Sequence, residues 1–155
     1  MKEKTCCFTG HRHIPEKDYA VIKEGLEKII LELYNKGIRF FEAGGALGFD
    51  TLAAESVLRL RESCPELRLI LVLPCLDQTK GWKAGDVERY EEIKRQADKT
   101  VYTGQEYTPG CMHTRNRRLV DDSSVCVCYQ TRSRGGTAYT VDYAKKKGLK
   151  AINLA

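Results

Sequence analysis

Apolar residues fall in two kinds of run along this chain. Short, nearly unbroken runs lie at residues 5–9, 38–43, 67–73, 99–103, 124–129 and 151–154. The least interrupted, 67–73, has the pattern of a strand covered on both faces. Between them, apolar positions recur at helical spacing among Glu, Lys and Arg. Tyr19, Ile22, Leu26, Ile29, Ile30 and Leu33 mark a long first helix, with Pro15 near its start and Gly37 just past its end. Leu52, Ala53, Val57 and Leu60 mark a second helix over 51–63, and Val87, Tyr90, Ile93 and Ala97 a third over 86–97. Residues 114–120 and 137–147 read as two more, the last closed by Gly148. Regular alternation of strand and helix predicts an α/β fold, a three-layer sandwich around a mainly parallel sheet with right-handed crossovers. The whole chain, 1–155, is expected to form one domain.

Composition narrows the picture little. Hydrophobic content of 42% and charged content of 30% suit a globular protein, and the net charge of +5 permits an anionic partner. The run Lys145-Lys146-Lys147 sits at a predicted helix end, where cations suit the helix dipole. Seven cysteines are an odd number in no zinc-binding pattern, and Cys6-Cys7 and Cys126-Val127-Cys128 lie inside apolar runs, where thiols behave as small hydrophobes. No apolar run is long enough to span a membrane. Met1-Lys2-Glu3-Lys4 leads straight into the first strand without a signal peptide, so the expectation is a reduced, cytoplasmic protein. No metal site and no cofactor is expected.

The candidate chemistry lies in three strand-to-helix junctions: Thr9-Gly10-His11-Arg12, Gly44-Gly45-Ala46-Leu47-Gly48-Phe49-Asp50, and Thr131 to Thr137. In a parallel sheet such junctions gather at the carboxyl ends of the strands, where ligands bind. Glycine-rich turns that open helices can present backbone N–H groups to phosphate, and guanidinium groups favour the same ligand. The expected binding residues are Gly10, His11, Arg12, Gly44, Gly45, Gly48, Asp50, Arg134, Gly135, Gly136 and Thr137, with Arg115 and Asn116 joining from the fourth helix. Arg132 adds a further cation. Neither G-x-G-x-x-G nor G-x-x-x-x-G-K-[ST] is present, which argues against a standard dinucleotide fold or P-loop. Asp50 has two readings, a ribose contact or a helix cap. Glu42 is either buried and functional or turned outward. Trp82 is either a lid over the site or a cover for the core edge. No catalytic set can be assembled.

These junctions, together with the Pro74 to Trp82 loop, Arg115-Asn116 and Gly135-Gly136-Thr137, resemble the SLOG superfamily. That Rossmann-like group includes DNA-processing protein A and the LONELY GUY phosphoribohydrolases, and the match is nearest to its YpsA-like bacterial members. The resemblance implies a Rossmann-like domain that binds a nucleotide or nucleotide-derived ligand. It also brings two alternatives: N-glycosidic hydrolysis, and single-stranded nucleic-acid binding. LONELY GUY enzymes carry Pro-Gly-Gly-x-Gly-Thr-x-x-Glu; here Thr140 stands where that glutamate would fall. A hydroxyl cannot replace a carboxylate at an oxocarbenium-like centre, so a binding or sensing role ranks above hydrolysis. Nucleic acid ranks lower still, because the basic residues gather at one pocket instead of along a groove and no exposed aromatic run is evident. A homo-oligomer remains compatible with all three readings.

Overall fold

The computed structural model describes residues 1–155. A six-stranded, all-parallel sheet has the order β4-β3-β2-β1-β5-β6. Its strands are β1 (Thr5–Gly10), β2 (Phe40–Ala43), β3 (Arg68–Leu73), β4 (Lys99–Tyr102), β5 (Val125–Tyr129) and β6 (Lys150–Asn153). The five helices are α1 (Glu16–Asn35), α2 (Phe49–Arg61), α3 (Ala84–Gln96), α4 (Cys111–Asp121) and α5 (Gly136–Lys146). The α/β architecture and the helix count agree with the hydrophobic pattern, and the sheet is parallel throughout.

Side chains along β1 and β5 alternate between two cores, one on each face of the sheet. Cys6, Phe8, Val127 and Tyr129 face the larger core with α1, α2 and α3. Cys7, Cys126 and Cys128 face the smaller one with α4 and α5. The thiols in these strands therefore act as packing groups, and all seven cysteines are free. Helix α1 buries Ile22, Leu26, Ile30 and Leu33. It ends in a Schellman motif, with Ile38 N–H donating to Leu33 O and Gly37 N–H to Tyr34 O, each at 3.0 Å.

Chain direction across the sheet reverses at β1. From β1 the chain steps outward through β2, β3 and β4, then crosses beneath the sheet in α4 and returns as β5 on the other side of β1. The loops after β1 and β5 thus diverge at the same point, where open parallel sheets form a ligand crevice.

Several helices begin earlier than the hydrophobic period predicts. Helix α2 starts at Phe49 rather than 51, and α4 at Cys111 rather than 114. The first change corrects one reading of Asp50: the residue lies in the first turn of α2, and Gly48 occupies the cap position. The second brings Met112 and His113 into the first turn of α4, at the crevice.

A cleft at the strand switch point

A row of rings connects the core to the crevice. Phe8 stacks on Phe41 at 5.9 Å and meets Phe49 edge-on at 6.3 Å; Phe49 stacks on Tyr129 at 6.0 Å. His11 then caps Tyr129 edge-on at 5.6 Å. The row fixes the start of α2 and the loop after β1. Gly10 is required where they cross, because a Cβ there would fall 2.5 Å from the Phe49 ring.

The two loops lock together through backbone. Phe49 N–H donates to His11 O at 3.1 Å, and Gly48 presses against the carbonyls of His11 and Arg12 with φ at +77°. Only glycine tolerates both that approach and that dihedral. Gly44 meets the Arg115 guanidinium, and Gly45 lies against Leu73, Gln78 and Tyr90. These three glycines let protein groups approach the loop, and none of them lines the main cleft. From this loop the cleft is lined by Ala46 and Asp50.

The cleft has a volume of about 680 Å³ and brings together Gly10, His11, Arg12, Asp50, Arg115, Asn116, Arg134, Gly136 and Thr137. Gly135 caps the start of α5 beside it. Sequence reasoning missed His13, Lys17, Asp18, Met112 and His113, which also line it. For Lys17 and Asp18 the topology held the signal, since a helix following a parallel strand begins at the strand's carboxyl end. Glu42 lies elsewhere: it is buried under α4, beside Asp122 and Arg118, and does not border the cleft.

Asp50 and Arg115 form the buried floor, at 6% and 4% exposure. The Asp50 carboxylate turns back to accept the Ala46 N–H at 3.2 Å. Burial raises its pKa, against the opposing pull of Arg115, the Ala46 N–H and Arg12. Arg115 donates to Gly44 O, and through Nε to Asn116 Oδ1 at 2.7 Å. Burial lowers its pKa, while Asp50 favours its charge. The two groups form no ion pair, yet each feels the other's charge across a poorly solvated floor, where fields act over longer distances than in water.

His11 Nε2 accepts the Thr131 N–H at 2.9 Å, which fixes the neutral Nδ1–H tautomer and ties the loop after β5 to the loop after β1. Burial, and then Arg132, lowers its pKa.

The helix starts differ in what they offer. At α2 the protein's own groups take the Phe49 and Ala46 N–H groups, leaving those of Asp50 and Thr51. At α5 the amides of Gly136, Thr137 and Ala138 have no protein acceptor, and no side chain caps the helix. The cleft is lined by Arg12, Lys17, Arg115, Arg132 and Arg134 against Asp18 and Asp50, five cations to two anions, so it favours an anionic ligand. Arg12, Lys17, Arg132 and Arg134 belong to none of the ion pairs in the structure. Thr140 lies outside the cleft, its hydroxyl donating to Gly136 O at 2.9 Å.

A profile of the YspA SLOG family matches residues 6–153. The chain belongs to that family. Among relatives, it is 30% identical over 145 residues to a UPF0398 protein of Halalkalibacterium halodurans, an alignment covering 89% of this chain and 73% of the relative. It is 32% identical over 130 residues to a UPF0398 protein of Bacillus thuringiensis, covering 82% and 71%. Two solved structures of DNA processing protein A share the fold. The Helicobacter pylori protein, described for its single-stranded DNA binding mode, has a TM-score of 0.69 at 20% identity, with 98% of this chain and 65% of that chain covered. The Streptococcus pneumoniae protein has a TM-score of 0.72 at 16% identity, covering 98% and 50%. This chain therefore spans between half and two thirds of those structures' length. No helix is long and apolar enough to cross a membrane.

Proposed function

We propose that this family member binds or senses a phosphorylated nucleotide or nucleotide-derived ligand in the cleft. The observation that carries the reading is the start of α5. Its unpaired first-turn amides share the cleft with Arg12, Arg132 and Arg134, none of them in an ion pair. Backbone N–H groups, the helix dipole and guanidinium groups all favour a phosphate there. The loop after β2 contributes through Ala46 and Asp50, with Asp50 in reach of a sugar hydroxyl as the expected role. Binding ranks above base-releasing hydrolysis because Asp18 and Asp50 are the only cleft-lining carboxylate residues, and Asp50 already accepts an amide. Calorimetry with a nucleoside 5′-monophosphate and its unphosphorylated nucleoside tests the reading. Arg134→Ala should weaken the monophosphate by about 1.5–3 kcal/mol, the range for a hydrogen bond to a charged group, and leave the nucleoside nearly unaffected. Equal losses for the two ligands, or no binding of either, would refute it.

Single-stranded nucleic acid is the second reading, supported by the fold shared with the Helicobacter pylori protein. It requires affinity that rises with oligonucleotide length and falls steeply with salt. The first reading expects short, length-insensitive binding.

A further inference from the structure

A second recess adjoins the cleft. It holds about 570 Å³ and is lined by Arg12, Asp77, Gln78, Lys80, Trp82, Tyr107 and Met112. Arg12 and Met112 line both spaces, so the recess and the cleft are neighbours across these two residues. Most residues lining the cleft are polar or charged. The recess adds two aromatic rings and a thioether to a guanidinium, an amide, a carboxylate and an ammonium group.

Two loops build it and brace each other. The loop after β3 carries Asp77 and Trp82, and the loop after β4 carries Tyr107. Leu76 N–H donates to Gln105 O at 2.9 Å, and Tyr107 N–H to Asp77 Oδ1 at 3.2 Å. Trp82 meets Tyr90 edge-on, with ring centroids 5.5 Å apart, and stays only half-buried. Tyr90 in turn donates its hydroxyl to Gln78 Oε1, and Gln78 Nε2 donates to Gly44 O. Trp82 therefore stands on a fixed support. Tyr107 is 62% exposed. A single exposed ring needs no explanation. Here two rings line one recess that opens onto an arginine in no ion pair.

We propose that this recess seats the heterocyclic base of the ligand whose phosphate lies at the start of α5, with Arg12 beside the sugar-phosphate between them. The inference rests on the phosphate reading of the cleft and adds the base and its place. Stacking on Trp82 and Tyr107 accepts any planar heterocycle, and Met112 supplies a polarisable edge contact. Asp77 and Lys80 offer an acceptor and a donor at the rim to the base's polar edge. Each space falls within the volume of a small-molecule site, and the ligand reaching both has two ends: anionic at α5, flat and edged with polar groups at Trp82.

Trp82 is the chain's only tryptophan, so its fluorescence reports this recess directly. The experiment titrates adenosine and guanosine 5′-monophosphates and ribose 5-phosphate into the unmodified protein, Tyr107→Ala and Arg134→Ala, with calorimetry in parallel. Tyr107 is exposed, and its bond to Asp77 is through backbone, so the variant keeps the fold. The nucleotides should change Trp82 emission; ribose 5-phosphate should bind roughly tenfold more weakly and leave it unchanged. Tyr107→Ala should weaken the nucleotides roughly tenfold and ribose 5-phosphate not at all. Arg134→Ala should weaken all three ligands. Nucleotide binding that needs Arg134 but lacks either the Trp82 change or the Tyr107 dependence overturns the base site and leaves the phosphate site standing. No binding of any phosphate compound removes both.

Discussion

Replacing Glu42 with Gln should stabilise the protein, increasingly so as pH rises. Glu42 is 5% exposed, and its Oε1 has no hydrogen-bond partner. Burial, then the charge and hydrogen bond of Asp122, raise its pKa from 4.5 to about 9, with Arg118 opposing weakly. The folded chain therefore keeps this proton to about pH 9, whereas the unfolded chain releases it near 4.5. Folding takes up a proton between those limits. Stability from this site is full below 4.5 and is lost progressively as pH climbs through the window. Each pH unit costs about 1.4 kcal/mol, so by pH 7 the penalty is on the order of 3 kcal/mol. Gln keeps the shape and has no proton to release. Urea unfolding of both proteins, followed by far-UV circular dichroism at pH 5 and pH 8, isolates the effect, because the other titrating groups are common to both. The advantage of Glu42→Gln should grow by about 4 kcal/mol between those conditions. Parallel stability profiles, or a destabilised variant at pH 8, would refute the reasoning.

His11 should titrate below 6.5 in the folded protein by NMR, since burial and Arg132 lower its pKa. Its stabilising bond from Thr131 is present above 6.5 and is lost as pH falls through the depressed value; a midpoint at or above 6.5 contradicts this. Arg115→Ala should destabilise by about 1–3 kcal/mol, because it leaves Gly44 O without its buried donor and removes the larger of the two cationic influences on Asp50. Asp50→Asn in that background should recover part of the loss, and additive losses in urea titration would refute the coupling. Gly48→Ala should cost about 2 kcal/mol or more, because a Cβ meets the Arg12 carbonyl at positive φ. Gly81→Ala, at φ +83° in open space, is the control and should lower the melting temperature less.

The sheet was readable because a strand covered on both faces needs an unbroken apolar run, and the chain carries one for most of its strands. Helix starts were less readable. The period marks where a helix packs, while the first turn of α4 at Cys111 and of α2 at Phe49 is set by glycines at positive φ. That displacement hid Met112 and His113 and made Asp50 look like a cap. Gly44, Gly45 and Gly48 were legible as special positions, but their reason is tertiary: the groups that press on them come from Arg115, Leu73 and Arg12, distant in sequence. Glu42 shows the same limit. Alternation along β2 turns it away from Phe41, and only the return of α4 beneath the sheet buries it.

The position of β1 also gives the protein a history. Made first, it pairs with β2 early, but its other edge waits for β5, more than a hundred residues later. A nascent chain can complete β4-β3-β2-β1 while still carrying an open, apolar strand edge, the kind that recruits unwanted neighbours. Closing that edge is the same event that delivers Thr131, Arg132, Arg134 and the start of α5 to the cleft. Closure of the sheet and completion of the cleft are therefore joined in one late step, and a truncated or stalled product lacks both at once.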